Sequence, residues 1–304
     1  MSPAHSFQNQ EAVLQEIRRG GRCAILVEGE EQKGDAALLQ FILREVTTQV
    51  TFFGRDGRPG LLKELKAMLE QLPAESLWAI VDRDFESDDP VELTYQADYQ
   101  GHEFFWRRFT IENYLLEPAW IAEAIHEFYA LEPGRIPTAL KTEVAIEKFL
   151  LDWARRLNPQ IAGNATIADL SVECGRRAVP IQGRTYFVEA YERDSSHVRT
   201  QLITHYSGGA ELAPDALSVD ALSRRYEEKL QMLQDSTQSL TNMHKFISGK
   251  LLLKALYQEL PKGSKPQADH LLGKLATHAS KLVPDDIQTL IVERILPRWR
   301  SARS

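Results

Sequence analysis

Three short strand-like segments, separated by two segments of helical period, set the limits on what this chain can fold into. Cys23-Ala24-Ile25-Leu26-Val27 and Leu77-Trp78-Ala79-Ile80-Val81 are unbroken apolar runs, and Gln49-Val50-Thr51-Phe52-Phe53 is rich in β-branched and aromatic residues. Apolarity without alternation marks strands that are covered on both faces. Between the first two lies DAALLQFILREV, with Ala37, Leu38, Phe41, Ile42 and Val46 at helical spacing and Asp35 placed to cap the start. Between the second and third, GRDGRPG breaks the chain and LLKELKAMLEQL follows, with Pro59 near its beginning and Pro73 at its end. This strand–helix alternation predicts an α/β fold built on a parallel sheet with right-handed crossovers.

Phe104-Phe105-Trp106 reads as a fourth strand, preceded by an exposed acidic loop, ESDDPVE. From Glu117 the pattern turns helical: PAWIAEAIHEFYAL, TEVAIEKFLLDWARRL, VDALSRRYEEKLQML, GKLLLKALYQEL and DDIQTLIVERIL. The expected division is an α/β domain over residues 1–116 and a mainly helical part over 117–304. No fixed-period repeat suggests a solenoid.

Composition narrows the function classes. No run approaches the ~18–20 apolar residues of a membrane span. The opening MSPAHSFQNQEAVLQEIRRGG has no apolar core ahead of a cleavage site. Cys23 and Cys174 form neither a disulfide framework nor a zinc site. A cytoplasmic protein is expected. The net charge of −7 disfavours indiscriminate polyanion binding, but nucleic acid is held by local basic patches rather than by the sum. Candidate patches are Arg18, Arg19 and Arg22; Arg55 and Arg58; Arg107 and Arg108; Arg176, Arg177 and Arg184; and Arg294, Arg298 and Arg300. Solvated helix faces are the alternative reading of each.

Ligands of open parallel sheets bind beyond the carboxyl ends of the strands. Glu28 stands at the first such end, with Gly29 permitting a tight turn, and Asp82 and Asp84 stand at the third. In extended backbone, residues i and i+2 point the same way, so the two aspartates can share one cation. Oxygen ligands without nearby His or Cys suit Mg²⁺ or Mn²⁺ rather than zinc. Three carboxylates brought together without a cation repel one another. The competing reading has Glu28 capping the next helix and the aspartates opening an ordinary loop.

LVEGEEQK followed by IVDRDF resembles the Toprim domain of topoisomerases, primases and many nucleases, which carries a Glu after its first strand and a D-x-D after a later one, together binding Mg²⁺. TIENYLLEP (110–118) and FISGKLLLKAL (246–256) resemble a branch near the OLD-family nucleases that includes the effector nuclease of the PARIS anti-phage system. The resemblance implies a Mg²⁺-dependent (or Mn²⁺-dependent) endonuclease. Glu28 would be general base or metal ligand, Asp82 and Asp84 metal ligands, Glu112 a further acidic site residue, and Lys250 a phosphate contact. It further implies a toxic defence effector acting on RNA such as tRNA, controlled by a partner ABC-like ATPase and homo-oligomeric when active. The chain departs from the common E-G-x-x-D pattern by carrying Gln32 at the last position; Glu30, Glu31 and Asp35 are the possible substitutes.

Other features read more plainly. Gly249-Lys250 is no P-loop, because His244 stands where the upstream glycine belongs and Leu251 replaces Ser/Thr. Lys250 has a structural reading as a helix-start lysine. Glu112-Asn113 has one as the cap of the helix after residue 117. His197 and His205, near Arg193, Asp194, Ser195 and Ser196, read as surface residues or a loop near substrate. Trp78 and Trp106 read as core. Tyr114 and Tyr191 lack the context of a topoisomerase nucleophile, and no zinc-ribbon spacing points to a primase. A non-enzymatic module that binds metal or nucleotide and docks a partner through its helical half is the alternative function.

Overall fold

A computed structural model describes residues 11–303 except 12, 16, 20, 30–33, 45–47, 56, 176–178, 180–193, 212 and 262–267. Four parallel strands form one sheet in the order β2-β1-β3-β4: β1 (Cys23–Glu28), β2 (Val50–Arg55), β3 (Leu77–Val81) and β4 (Glu103–Phe105). Every residue of β3, and all of β1 but Glu28, is buried, as unbroken apolar strands require. The crossovers are α1 (Asp35–Leu43) and α2 (Arg58–Leu69). The chain steps one way from β1 to β2 and the other way from β2 to β3, so right-handed crossovers place α1 and α2 on opposite faces.

Two compact units emerge, and they are drawn differently from a single cut near residue 116. The first comprises Met1–Phe128 together with Lys265–Ser304, and the second Tyr129–Ser264. In the first unit the sheet is followed by α3 (Asp88–Tyr95), the 3₁₀ turn Ile111–Leu115 and α4 (Pro118–Phe128). It is completed by α11 (Ala268–Lys281), α12 (Asp285–Ile287), a π-wound stretch (Gln288–Ile295) and α13 (Leu296–Ser301). Ile287, Leu290, Ile291, Ile295, Leu296 and Trp299 share the apolar core with the strands, and Trp78 and Trp106 lie in it as expected. Charged anchors tie the same segment down. Arg298 pairs with Glu75 and donates to the carbonyl of Gly101, Arg294 donates to the carbonyl of Tyr95, and Asp286 pairs with Arg107. A parallel sheet must be covered on both faces, and the C-terminal segment supplies part of that cover.

Residues 88–92 of the expected acidic loop belong instead to α3. Asp88 and Asp89 occupy its first turn, where the helix dipole favours negative charge. The buried face of α1 is Ala36, Leu39, Ile42 and Leu43, one position away from most of the predicted stripe. Ala37, Leu38 and Phe41 form a second apolar stripe, and α1 packs against α11. Of the expected members, Val46 lies outside the described residues.

Among its described residues the second unit has helices and no strand: α5 (Glu143–Cys174), α6 (Ser195–Tyr206), α7 (Pro214–Leu217), α8 (Val219–Ser236), α9 (Leu240–Phe246) and α10 (Gly249–Glu259). Thr142 caps α5 by accepting from Ala145 N–H at 3.2 Å. The helix runs on through Pro159, beyond the predicted end, because its middle is buried on nearly every side from Leu157 to Ile167. His197 and His205 lie on α6 rather than in a loop. No helix among the described residues is long and apolar enough to cross a membrane.

The phenols of Tyr114 and Tyr95 have their pKa values raised above 10.0, chiefly by burial, with the Asp286 carboxylate adding to it. A folded-state pKa above the unfolded one gives stability that is complete below pH ~10 and lost as pH rises towards the folded value. Melting temperature is therefore expected to hold up to about pH 10 and to fall as the pH rises above it. Tyr114→Phe should start lower, having lost its hydrogen bond to Asp286 (3.3 Å), but fall less steeply. Equal slopes in the two proteins would refute the assignment.

Candidate active site

β1 and β3 are neighbours, yet the chain leaves β1 towards β2 on one side while β3 lies on the other. The order reverses between them, and at such a reversal the loops diverge and open a crevice beyond the strand ends. Glu28 closes β1, and Asp82 is the first residue after β3. Val27 pairs with Ile80, so Glu28 is level with Val81 and Asp82 lies one step further out. The Asp82 backbone N–H donates to Glu28 Oε1 at 3.2 Å. Two acids separated by 53 intervening residues thus meet at the switch point (the sequence separation is 54). Asp82 is 6% exposed, and Glu28 and Asp84 are half-buried.

Gly29 has φ +107°, a region that side chains rarely adopt. A Cβ there would meet Asp35 N at 3.4 Å and Asp35 Oδ1 at 3.6 Å, so the tip of β1 lies against the first turn of α1. Gly34, not Asp35, is the N-cap of α1, and no side chain caps it. Asp35 instead sits within the first turn, 3% exposed. It is the one described candidate to substitute for Gln32, since Glu30 and Glu31 fall outside the described residues.

Asp84 departs from the expected geometry. Its φ is +49°, the only positive value among described non-glycine residues. The backbone leaves the extended form at Asp84, so the strand rule for residues i and i+2 no longer sets the direction of its side chain. Aspartate is among the few side chains that tolerate this conformation. Its N–H donates to the carbonyl of Phe109 at 3.4 Å.

Glu112 rides on the 3₁₀ turn Ile111–Leu115. That turn is held by Asn113 Oδ1, which accepts from Thr110 N–H at 3.0 Å and from Thr110 Oγ1 at 3.1 Å. Asn113 therefore caps its own turn. Glu112 lines a pocket of about 330 Å³ with Asp35, Leu38, Phe41, Asp269 and Leu272, among others. Lys250 is exposed in the first turn of α10, in the second unit.

Among the described residues, no group of three His, Cys, Asp or Glu side chains stands ready to hold a metal ion. The donor chemistry nevertheless fits magnesium. Mg²⁺ is bound through one or two carboxylates, keeps several waters and completes its shell with substrate phosphate. Glu28 and Asp82 supply such a pair, with Asp84 two residues on.

Most described arginines of the predicted basic patches are already engaged. Arg55 pairs with Glu64, Arg58 with Glu86 and Glu103, Arg107 with Glu92 and Asp286, and Arg108 with Glu117. Arg176, Arg177, Arg184, Arg193 and Tyr191 lie outside the described residues. Sequence reasoning missed Arg83, which is 1% exposed between the two aspartates. A buried arginine leaves no trace in an apolar pattern, and its flanking acids suggest solvent instead. Compared with models of known families and with curated proteins, the chain matches none.

Gly29→Ala should destabilise the protein by ~1–2 kcal/mol, the cost of a side chain in left-handed backbone, as read by urea unfolding. A change within a few tenths of a kcal/mol would show that the tip of β1 needs no glycine.

Proposed function

We propose that the protein is a divalent-metal-dependent nuclease that hydrolyses nucleic-acid phosphodiesters at the carboxyl end of its sheet. The observation that carries this reading is the meeting of Glu28 and Asp82 at the β1/β3 switch point, joined through the Asp82 N–H. Glu28 and Asp82, with Asp84, are the residues that would hold Mg²⁺ or Mn²⁺. When bound, such an ion supplies Lewis acidity to the scissile phosphate.

The protein's own groups do the rest. Glu28, oriented by the Asp82 N–H, accepts the proton of the attacking water. Burial of Asp82 keeps water from competing for its oxygens and strengthens its interaction with any cation. Glu112 supplies a further acidic group on the same unit. Motif resemblance extends the proposal to an anti-phage effector acting on RNA such as tRNA, under control of a partner ATPase and active as a homo-oligomer.

Incubation with labelled RNA and DNA in Mg²⁺, Mn²⁺ or EDTA tests the chemistry. Cleavage is expected with metal and not with chelator. Glu28→Ala should lower it on the order of 10²-fold or more while leaving the melting temperature unchanged within a few degrees. Cleavage by Glu28→Ala at the wild-type rate would sink the assignment. Metal-dependent binding without cleavage would instead favour the non-catalytic docking module.

A further inference from the structure

Arg83 separates the two aspartates at the end of β3, and its side chain is buried. A guanidinium taken out of water must be compensated by good hydrogen bonds. Nη1 donates to the carbonyl of Arg107 at 3.1 Å, and Nη2 donates to Asp88 Oδ1 at 2.6 Å. One side chain thus links the tip of β3 to the exit of β4 and to the first turn of α3. Beside it, Asp84 N–H donates to the carbonyl of Phe109, and the rings of Phe85 and Phe109 meet edge to face with centroids 5.5 Å apart. Residues 82–85 therefore lie against residues 107–109. The latter lead directly into Thr110 and the turn that carries Glu112, and Arg108 fastens that turn by donating to the carbonyl of Asn113 at 2.8 Å.

We propose that Arg83 is a positioning residue that holds the Asp82–Asp84 turn in register with the 107–112 segment, so that both sets of acidic side chains stand on one rigid support. The role rests on the metal-site reading above. A rigid planar fork fixes two acceptors on different elements relative to each other, whereas a lysine ammonium is a point charge on a flexible stem. The left-handed backbone of Asp84 is sustained by the same surroundings, as strained residues must be. Loss of an outer group that orients a metal ligand typically costs roughly 10–100-fold in metal affinity.

The test is Mn²⁺ titration of the full chain by electron paramagnetic resonance, alongside thermal melts. Arg83→Met fills similar space without charge, a kind of replacement that buried ionic sites often tolerate without loss of stability. Arg83→Met and Arg83→Lys should each weaken Mn²⁺ binding by roughly 10–100-fold while keeping a cooperative melt. A merely structural role would lower the melting temperature and leave the Mn²⁺ Kd in place. Should Arg83→Met fail to fold, Asp88→Asn decides: its carboxylate is 54% exposed, so it loses the ionic partner with little disturbance. The Asp88→Asn Kd should rise in the same direction, and a wild-type value would overturn the proposal. Wild-type protein that binds Mn²⁺ no differently from folded Arg83→Met overturns the positioning role alone. Wild-type protein that binds no Mn²⁺ overturns the metal reading, and this inference with it.

Discussion

Parallel pairing of β1 with β3 is the constraint on which the rest depends. Four residue pairs, Ala24 with Leu77 through Val27 with Ile80, each 53 positions apart in sequence, fix the two strands in one register. A slip by one position would turn every side chain to the opposite face. Here it would also carry Asp82 away from the oxygen of Glu28 that accepts its N–H. The apolar side chains that fix the register are therefore the ones that bring the Asp82 backbone to the Glu28 carboxylate. Core packing and site geometry are one problem in this protein, solved by the same ten or so residues.

The sheet was legible because Cys23–Val27 and Leu77–Val81 are too short for helices and are bounded by polar or turn residues, which leaves buried strands as the better reading of such apolar runs. The strand-end acids were legible for a related reason, since a parallel sheet directs ligands to one edge. Helix faces were harder. Helix α1 is apolar on two stripes, and periodicity alone does not say that Leu39 and Leu43 face the sheet while Leu38 and Phe41 line a pocket with α11. Helix α3 carried a readable signal in its Ser-Asp-Asp-Pro start, a first turn rich in acid, which the density of charge obscured.

Two features of the site lay beyond pattern. The left-handed backbone of Asp84 depends on residues 107–109, which are distant in the chain, and no local propensity encodes it. Arg83 owes its burial to the carbonyl of Arg107 and the carboxylate of Asp88. Both are tertiary effects acting on Asp82-Arg83-Asp84-Phe85, a stretch that by itself is equally consistent with an exposed loop. The aromatic and ionic contacts around Tyr114, with Trp106 on one side and Arg107 and Asp286 nearby, similarly join segments more than 170 residues apart.

The return of the chain to its first unit has a bearing on biosynthesis. Residues 129–264 interrupt that unit, and the apolar side chains from Ile287 to Trp299 that cover the sheet are translated after them. At ribosomal elongation rates of ~5–20 residues per second, the strands wait on the order of ten seconds for their last layer. Throughout that interval the Arg107–Asp286 link is missing and the nascent sheet has an open flank. A protein proposed to cut nucleic acid is thus made in the company of RNA with the support of its acidic turn still unfinished.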